Sequence, residues 1–474
     1  MVSRQRQLTI ALTVAAVALI ALSHTLASWR PSHVASMTVP RTATSPHAHI
    51  VEEQGLGQIQ QPVISTPEPS RLRQELRLTH RLSSSPPPSS SPPPPPPPRP
   101  PPRPLKQSLE MGSRPVGVFS SGVGGYRVFR IPAIARSMRT LLAFAEARPT
   151  VHDHGKIDLV LRRSSNGGRS WDSLQIVAGS TTSRQLGWLQ TVGNPSPVVA
   201  SNGDVVLLFC SNDGKVNEDT IRSGQGGRGR RIWVMRSSDA GAQWSAPVEI
   251  TSSVKRPDWT WYATGPGGAF RLSNGSLVVP ATHATVDGRD QSHLLLSDDS
   301  GETWRLGGDA ASPSNEATAA ELADGSVLLN ARDLSTQRLR LFQRSTDGGF
   351  SWWPPWRAEE LIEPPPRGCH GAMIAAGGGR TLFFSHPSSP LGRERGQMMI
   401  YRSDDGGHSW PQRLLVHDGP AAYSSLLLLP DGDRLGLLYE RGERPGSFFA
   451  QRIVFERIAF GQGTPLSAAG TDEG

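Results

Sequence analysis

The stretch Ser297-Asp298-Asp299-Ser300-Gly301-Glu302-Thr303-Trp304 is the strongest indication of the fold, because it recurs along the chain. In the form S-x-D-x-G-x-[TS]-W it returns at 345–352 and 403–410, and looser copies lie at 237–244 and 164–171. In the looser copies Gln243 takes the Thr/Ser place and Asn166 takes the Asp place. Five copies spaced roughly 50–70 residues apart are typical of propellers and other repeat arrays.

Each copy has the chemistry of a tight turn. The Asp or Asn side chain hydrogen-bonds the backbone just ahead of it, Gly adopts a positive φ, and Trp covers the junction. Residues 232–235 and 293–296, which precede two of the copies, are apolar apart from His293 and favour strands. We therefore interpret the Asp and Trp residues as structural and expect each copy to close a β-hairpin.

The rest of the chain from residue 116 alternates short apolar runs with Gly, Asp and Asn turns, without a long 3.6-residue period. This pattern predicts an all-β fold. Asn274-Gly275, a glycosylation sequon with Ser276, also predicts a hairpin turn between 269–272 and 277–279. Five repeated units and one blade closed by the first and last strands predict a six-bladed β-propeller.

The first quarter of the chain has a different composition. Arg4 and Arg6 precede an apolar run that reaches Trp29, so 1–29 is predicted to be a signal peptide or a signal anchor. The Ser/Pro-rich segment 30–110 is predicted to be a disordered stalk or linker, and its part 83–104 is predicted to adopt the extended polyproline II conformation. A β-propeller domain at 111–462 and a flexible tail at 463–474 complete the expected organisation.

These features predict entry into the secretory pathway. An uncleaved anchor would place the propeller domain on the luminal or extracellular side, and a cleaved signal would release a secreted protein. A long spacer after the apolar run favours the anchor. Membrane association is therefore expected through the N-terminal segment if it is uncleaved.

The net charge of +8 does not indicate a nucleic-acid partner. Residues 1–110 carry 11 of the 49 Lys and Arg residues but only five of the 41 acidic ones. The predicted propeller is therefore almost neutral, without the basic surface that nucleic acid needs. Cys210 and Cys369 are too few for a disulfide framework, and free buried thiols are expected rather than one long-range bridge.

The repeated turn resembles the Asp box of sialidases, over roughly residues 115–460. The run Phe129-Arg130-Ile131-Pro132 is similar to a motif of that family in which Arg is one of three that hold the sialic-acid carboxylate. A guanidinium suits this task, because its planar fork matches a carboxylate and stays charged. Arg130 also lies between apolar residues, where a charge is costly without a partner.

A second block, from Asn315-Glu316 to Asn330-Ala331-Arg332, resembles the family's N-E…E-L-x-D-G…N-x-R pattern. The resemblance implies that Glu316 lies beside the nucleophile and that Arg332 is the second carboxylate-binding arginine. Arg395, before the strand that leads into the last box, would be the third, with Arg393 as the alternative. Glu321 in this block is interpreted as structural.

Tyr423, in Ala422-Tyr423-Ser424, matches the family's nucleophile, and Tyr439 is its competitor among five tyrosines. Asp153, before His154-Gly155, matches the catalytic acid/base, whereas Asp158 begins the next strand and is interpreted as structural. His152, Asp153 and His154 are adjacent on one short loop, which does not suit metal ligation. No metal or other cofactor is expected.

The resemblance implies an exo-α-sialidase that hydrolyses terminal sialic acids from glycoproteins, glycolipids or oligosaccharides. A neutral Tyr nucleophile avoids repulsion by the substrate carboxylate, and sialidases are the Tyr exception among glycosidases. The expected outcome is retention through a sialyl-tyrosine intermediate. The alternatives are a non-catalytic propeller that binds sialoglycans or proteins, and a trans-sialidase.

Overall fold

The computed structural model describes residues 109–111, 114–179, 190–389, 395–444 and 447–460, which belong to one compact unit. The predicted signal or anchor, almost all of the predicted linker and the predicted tail lie outside these residues. The first strand, β1, spans Leu109–Met111, so it begins inside the segment predicted as linker and pairs with the last strand of the chain.

Nearly all regular structure among the described residues is antiparallel β-sheet, as predicted. Four sheets of four or five strands follow one another along the chain. The first contains β3 (Val128–Ser137), β4 (Thr140–Arg148), β5 (Asp158–Ser164) and β6 (Gln175–Ala178). The second contains β7 (Gln190–Val199), β8 (Val205–Asp213), β9 (Arg231–Ser237) and β10 (Val248–Glu249).

The next two sheets repeat this order. The third contains β11 (Trp259–Thr264), β12 (Phe270–Arg271), β13 (Leu277–Thr285), β14 (Asp290–Ser297) and β15 (Arg305–Leu306). The fourth contains β16 (Ser314–Glu321), β17 (Val327–Asp333), β18 (Leu339–Ser345) and β19 (Trp356–Ile362). The pairing of β12 with β13 confirms the hairpin predicted at Asn274-Gly275.

The remaining strands form one eight-stranded sheet. Besides β1 it contains β2 (Val116–Ser120), β20 (Ala372–Ala376), β21 (Thr381–Pro387), β22 (Gly396–Ser403), β23 (Gln412–Leu428), β24 (Arg434–Arg441) and β25 (Arg452–Phe460). The first half of the 17-residue strand β23 pairs with β22, and its second half pairs with β24.

The sheets are arranged around a centre in the manner of a propeller. Strand β7 packs against β3 and against β11 and β13, and β16 packs against β13 and β20. Strand β23 then packs against β20 and against β3, which closes the ring. Apolar side chains fill the space between neighbouring sheets; Phe144, Phe209 and Trp233, for example, lie between the first and the second.

Every copy of the repeated motif connects two consecutive strands that pair antiparallel with each other, as predicted. In the copy at 297–304 the Asp299 carboxylate accepts the Thr303 backbone N–H at 2.9 Å, and Gly301 has a φ of 88°. Trp304 is buried and its indole N–H donates to the Gly301 carbonyl at 2.9 Å. In the first copy Asn166 accepts two backbone N–H groups in the same way, so the substitution preserves the turn.

Helical structure is limited to Glu218–Arg222, Thr251–Val254 and a 3₁₀ turn at Val123–Gly125 within the described part of the chain. None of the helices in this part has the length and apolar character needed to cross a membrane. Cys210 and Cys369 are both buried and free, as expected.

Candidate active site

The strands nearest the centre of the ring are interrupted at one end by β-bulges. The pairing register shifts between Arg130 and Ala133 in β3, between Ser314 and Ala317 in β16, and between Ala421 and Ser424 in β23. A bulge turns a side chain out of the regular alternation and is common beside active sites. These three bulges direct Arg130, Glu316 and Tyr423, which are far apart in sequence, into one site.

Tyr423 and Glu316 form the centre of this site. The Tyr423 hydroxyl donates a short hydrogen bond to Oε1 of Glu316, and Arg332 Nη1 lies 2.9 Å from Oε2 of the same carboxylate. All three side chains are largely removed from water. The ring of His370 stacks on that of Tyr423, with centroids 5.3 Å apart.

The charges in this group favour a neutral tyrosine beside an ionised glutamate. Burial raises the pKa of Tyr423 well above its ordinary value, and the negative charge of Glu316 raises it further. Burial also tends to raise the pKa of Glu316, but the positive charge of Arg332 and the hydrogen bond from Tyr423 outweigh it and lower that pKa. In the resting site the proton therefore stays on the tyrosine, and the hydrogen bond places the ionised carboxylate where it can accept that proton as the tyrosine attacks.

Three guanidinium groups surround Tyr423. The Cζ atoms of Arg130 and Arg395 lie 5.2 Å and 5.5 Å from the centre of the tyrosine ring. Arg332 contacts Glu316, which is the hydrogen-bond partner of Tyr423. Phe449 extends this contact, since Arg130 and Arg395 also lie over its ring. Three positive charges around one aromatic ring make a site for an anion, and their planar forks suit a carboxylate.

Buried acceptors hold each arginine in place. Arg130 Nε donates to Glu440 at 2.7 Å, and the other oxygen of Glu440 accepts the backbone N–H of Tyr423 at 3.2 Å. Glu440 is fully buried, so it fixes the first arginine and the tyrosine relative to each other.

The other two arginines are held by a loop. Arg332 Nε donates to the carbonyl of Arg367 at 2.6 Å, and Arg395 Nη2 donates to the carbonyl of Gly368 at 3.1 Å. The loop is anchored by the buried ion pair of Arg340 with Glu363, in which Arg340 Nη1 lies 2.5 Å from the carboxylate. We refer to residues 363–371 as the anchored loop.

Asp153 lies at the edge of the site, on the loop between β4 and β5. Its carboxylate contacts Arg148 and lies 3.8 Å from Arg130 Nη1, and its side chain is 72% exposed. Arg148 in turn contacts the buried carboxylate of Glu146. Partial desolvation opposes the effect, but Arg148 and Arg130 hold the pKa of Asp153 below its ordinary value.

The structure separates the predicted residues from their competitors. Tyr439 lies inside β24, where its hydroxyl donates to Glu456 at 2.6 Å and accepts from Arg441 at 2.9 Å, which is not one of the three arginines around Tyr423. Asp158 accepts the hydroxyl of Tyr126 at 2.8 Å, and Glu321 accepts Ser273 N–H at 2.7 Å. Arg393, the alternative to Arg395, lies outside the described residues.

Sequence reasoning missed Glu440, Arg148 and the anchored loop. A signal for Glu440 was available, because a carboxylate inside the apolar run 435–441 has to find a buried partner. Arg148 follows Glu146 with one residue between, so both side chains are on the same face of β4. Nothing in the local sequence singles out Arg340 and Glu363, whose pairing depends on the packing of β18 against the loop after β19.

Comparisons with known proteins agree with this architecture. Residues 139–437 match the family model described as a BNR repeat-like domain. The sialidase of Micromonospora viridifaciens is 32% identical over 337 residues, which cover 68% of this chain and 51% of that protein. The exo-alpha-sialidase of Aspergillus fumigatus is 30% identical over 71% of this chain and 84% of that protein.

A solved structure, the Hadza microbial sialidase Hz136, superposes with a TM-score of 0.64 at 26% identity, covering 72% of this chain and 68% of that one. The fold and the repeats define a propeller-like protein of the BNR-repeat class. Within that class, the chain belongs to the sialidase family. It spans about half the length of the Micromonospora relative.

Proposed function

We propose that this protein is an exo-α-sialidase that releases terminal sialic acids from glycoproteins, glycolipids or oligosaccharides. The proposal depends on the hydrogen bond from the Tyr423 hydroxyl to Glu316, which lies among three arginine side chains. The arginines would bind the substrate carboxylate, and the tyrosine would then lie against the adjacent anomeric carbon.

The proposed reaction has two displacements with overall retention. Tyr423 Oη attacks the anomeric carbon while its proton passes to Glu316, and Asp153 protonates the departing glycosidic oxygen. Water then attacks the sialyl-tyrosine, Asp153 takes a proton from the water, and Glu316 returns the proton to the tyrosine. Arg130, Arg332 and Arg395 hold the carboxylate throughout, and no cofactor is needed.

The full chain and two matched tyrosine variants test this proposal. We expect wild-type protein to release the fluorophore from an aryl α-sialoside. Tyr423→Phe should lose at least about a thousandfold in kcat, because the nucleophilic oxygen is gone. Tyr439→Phe removes an equally buried hydroxyl outside the site and should retain most of the turnover.

Each contrary result has a distinct meaning. A folded wild type that binds sialosides without turning them over would indicate the non-catalytic propeller. Transfer of sialic acid to added lactose in preference to water would indicate a trans-sialidase. Undiminished turnover by Tyr423→Phe would contradict the assignment of the nucleophile.

We also propose that the ring consists of six blades. Strand β23 supports this number, because its two halves pair with different neighbours and divide the eight-stranded sheet into two blades of ordinary size. The pairing of β1 and β2 with β25 would close the last blade with strands from both ends of the propeller.

A further inference from the structure

At the end of the ring that carries Tyr423, the second and third sheets contribute a further group of side chains, which we call the wall. Strand β7 is bulged between Gly193 and Ser196, and β11 is bulged at Trp259–Trp261. The β7 bulge corresponds in position to those at Arg130 and Glu316. The shared bulges place Asn194 and Trp261 at the same end of their strands as the proposed catalytic residues.

Hydrogen bonds connect this wall to Asp153. The backbone N–H of Asn194 donates to Glu146 at 2.9 Å, and Glu146 contacts Arg148, which contacts Asp153. On its other side Asn194 accepts Arg230 Nη2 at 2.8 Å through its amide oxygen. Arg230 therefore lies at the far end of a chain of contacts that starts at the proposed acid/base.

Arg230 differs from the other buried arginines in its electrostatic environment. It is 4% exposed, and its Nε is buried without a hydrogen-bond partner. Its guanidinium lies 4.4 Å from the ring centre of Trp261, and no ion pair within the described residues includes it. A buried cation without a counter-charge is costly, and a bound ligand that offers oxygen would lower that cost.

The neighbouring Arg222 shows what an ordinary arginine does in this region. It also lies over Trp261, at 5.7 Å, but it is paired with Glu218 and Asp290, both at 2.7 Å. Its charge is thus neutralised within the protein. The contrast assigns the unsatisfied charge on this wall to Arg230.

The chemistry of a sialic acid indicates which atoms meet this wall, and this step rests on the proposed function. The carboxylate is attached to C2, and C5 is the atom directly across the six-membered ring. The three arginines come from β3, from β17 and from just before β22. With the carboxylate held by them, the C5 substituent would extend toward the remaining part of the ring, which the second and third sheets form. A guanidinium has only N–H donors, so it favours an acceptor oxygen there.

We propose that Arg230 is a specificity-determining residue that selects the C5 substituent and favours a hydroxyl over an acetamido group. A hydroxyl oxygen can accept a charge-assisted hydrogen bond from the guanidinium. An acetamido carbonyl oxygen could accept as well, but the methyl attached to that carbonyl would then lie against a desolvated charge. The aromatic face of Trp261 that could receive the methyl is already covered by Arg230.

Two aryl α-glycosides that differ only at C5, one with a hydroxyl and one with an acetamido group, test the proposal on the full chain. The ratio of kcat/KM for the hydroxyl substrate to that for the acetamido substrate should fall at least about tenfold in Arg230→Leu. A ratio measured on one preparation does not depend on the fraction of folded enzyme. A loss of protein stability therefore cannot imitate the result.

Arg222→Leu is the matched control, since it removes the same side chain from the other position beside Trp261. Its ratio should stay at the wild-type value. An unchanged ratio in Arg230→Leu, or an equal fall in Arg222→Leu, would overturn the proposal. A wild type inactive on both substrates would instead overturn the proposed sialidase function from which the inference starts.

Discussion

Asp153 is the residue whose charge state matters most for the proposed first step. Its contacts with Arg148 and Arg130 stabilise the carboxylate, so the free protein holds it ionised near neutral pH. An acid must carry a proton to assist a leaving group. The sialidase proposal therefore predicts faster turnover on the acidic side of neutrality.

The role of Asp153 as an acid can be separated from a structural role by the leaving group. Asp153→Ala should lose on the order of a hundredfold or more in kcat/KM for a sialyl-lactose, whose leaving alcohol needs protonation. For a nitrophenyl sialoside the loss should be much smaller, because nitrophenolate leaves unaided. Equal losses on the two substrates would contradict the assignment.

Arg148 sets the pKa of Asp153, and the sign of its effect is testable. Its positive charge favours the carboxylate, so Arg148→Met should raise that pKa. If Asp153 acts as the acid, activity falls as pH rises through its pKa, and the alkaline limb of kcat/KM should move to higher pH. Arg148→Lys retains the charge, and its limb should stay near that of the wild type.

At the scale of structural elements, the anchored loop joins stability to substrate binding. Its backbone carbonyls accept hydrogen bonds from Arg332 and Arg395, and the buried Arg340–Glu363 ion pair attaches the loop to the core. The fully buried Arg340 also donates to the carbonyl of Cys369 at 3.0 Å. The loop thus links the core of the fourth sheet to two of the three carboxylate-binding candidates.

Breaking this pair should therefore affect both properties. Arg340→Met should lower the free energy of unfolding by about 3–5 kcal/mol, because it leaves the Glu363 carboxylate buried without its partner. It should also raise KM more than it lowers kcat. Arg434→Met, at an exposed ion pair, should change stability by less than about 1 kcal/mol.

A double variant provides the internal check. Adding Glu363→Gln to Arg340→Met removes the uncompensated charge, so the double variant should be less destabilised than the sum of the two single changes. Additive losses in urea denaturation would show that the two residues act independently.

For the chain as a whole, the N-terminal segment leads to a prediction about where the protein is located. From the apolar run that ends at Trp29 we propose that the protein enters the secretory pathway with the propeller on the luminal or outer side. If the segment is an uncleaved anchor, the full chain should stay with membranes after carbonate extraction, whereas a version starting at 111 should be released. Extraction of the full chain with its first residues intact would contradict the anchor.

The repeats explain why so much of the architecture could be predicted. Each Asp box specifies a turn through contacts within eight residues, so its structure follows from local sequence alone. The same holds for the Asn274-Gly275 hairpin. Short motifs shared with a family were the basis for selecting Tyr423, Glu316, Asp153 and the three arginines as candidates. Their side chains come together only because the sheets close into a ring.

The all-β fold and the turns follow from the amino-acid sequence alone, since each depends on neighbours in the chain, and the candidate site residues followed from motifs that resemble those of a family. The contacts that support these residues could be seen only in the folded structure. Glu440 meets Arg130 across 310 positions, Glu316 meets Tyr423 across 107, and Asn194 meets Arg230 across 36. Such contacts have no periodicity or motif, because they arise where separate sheets bring the ends of their inner strands to one axis.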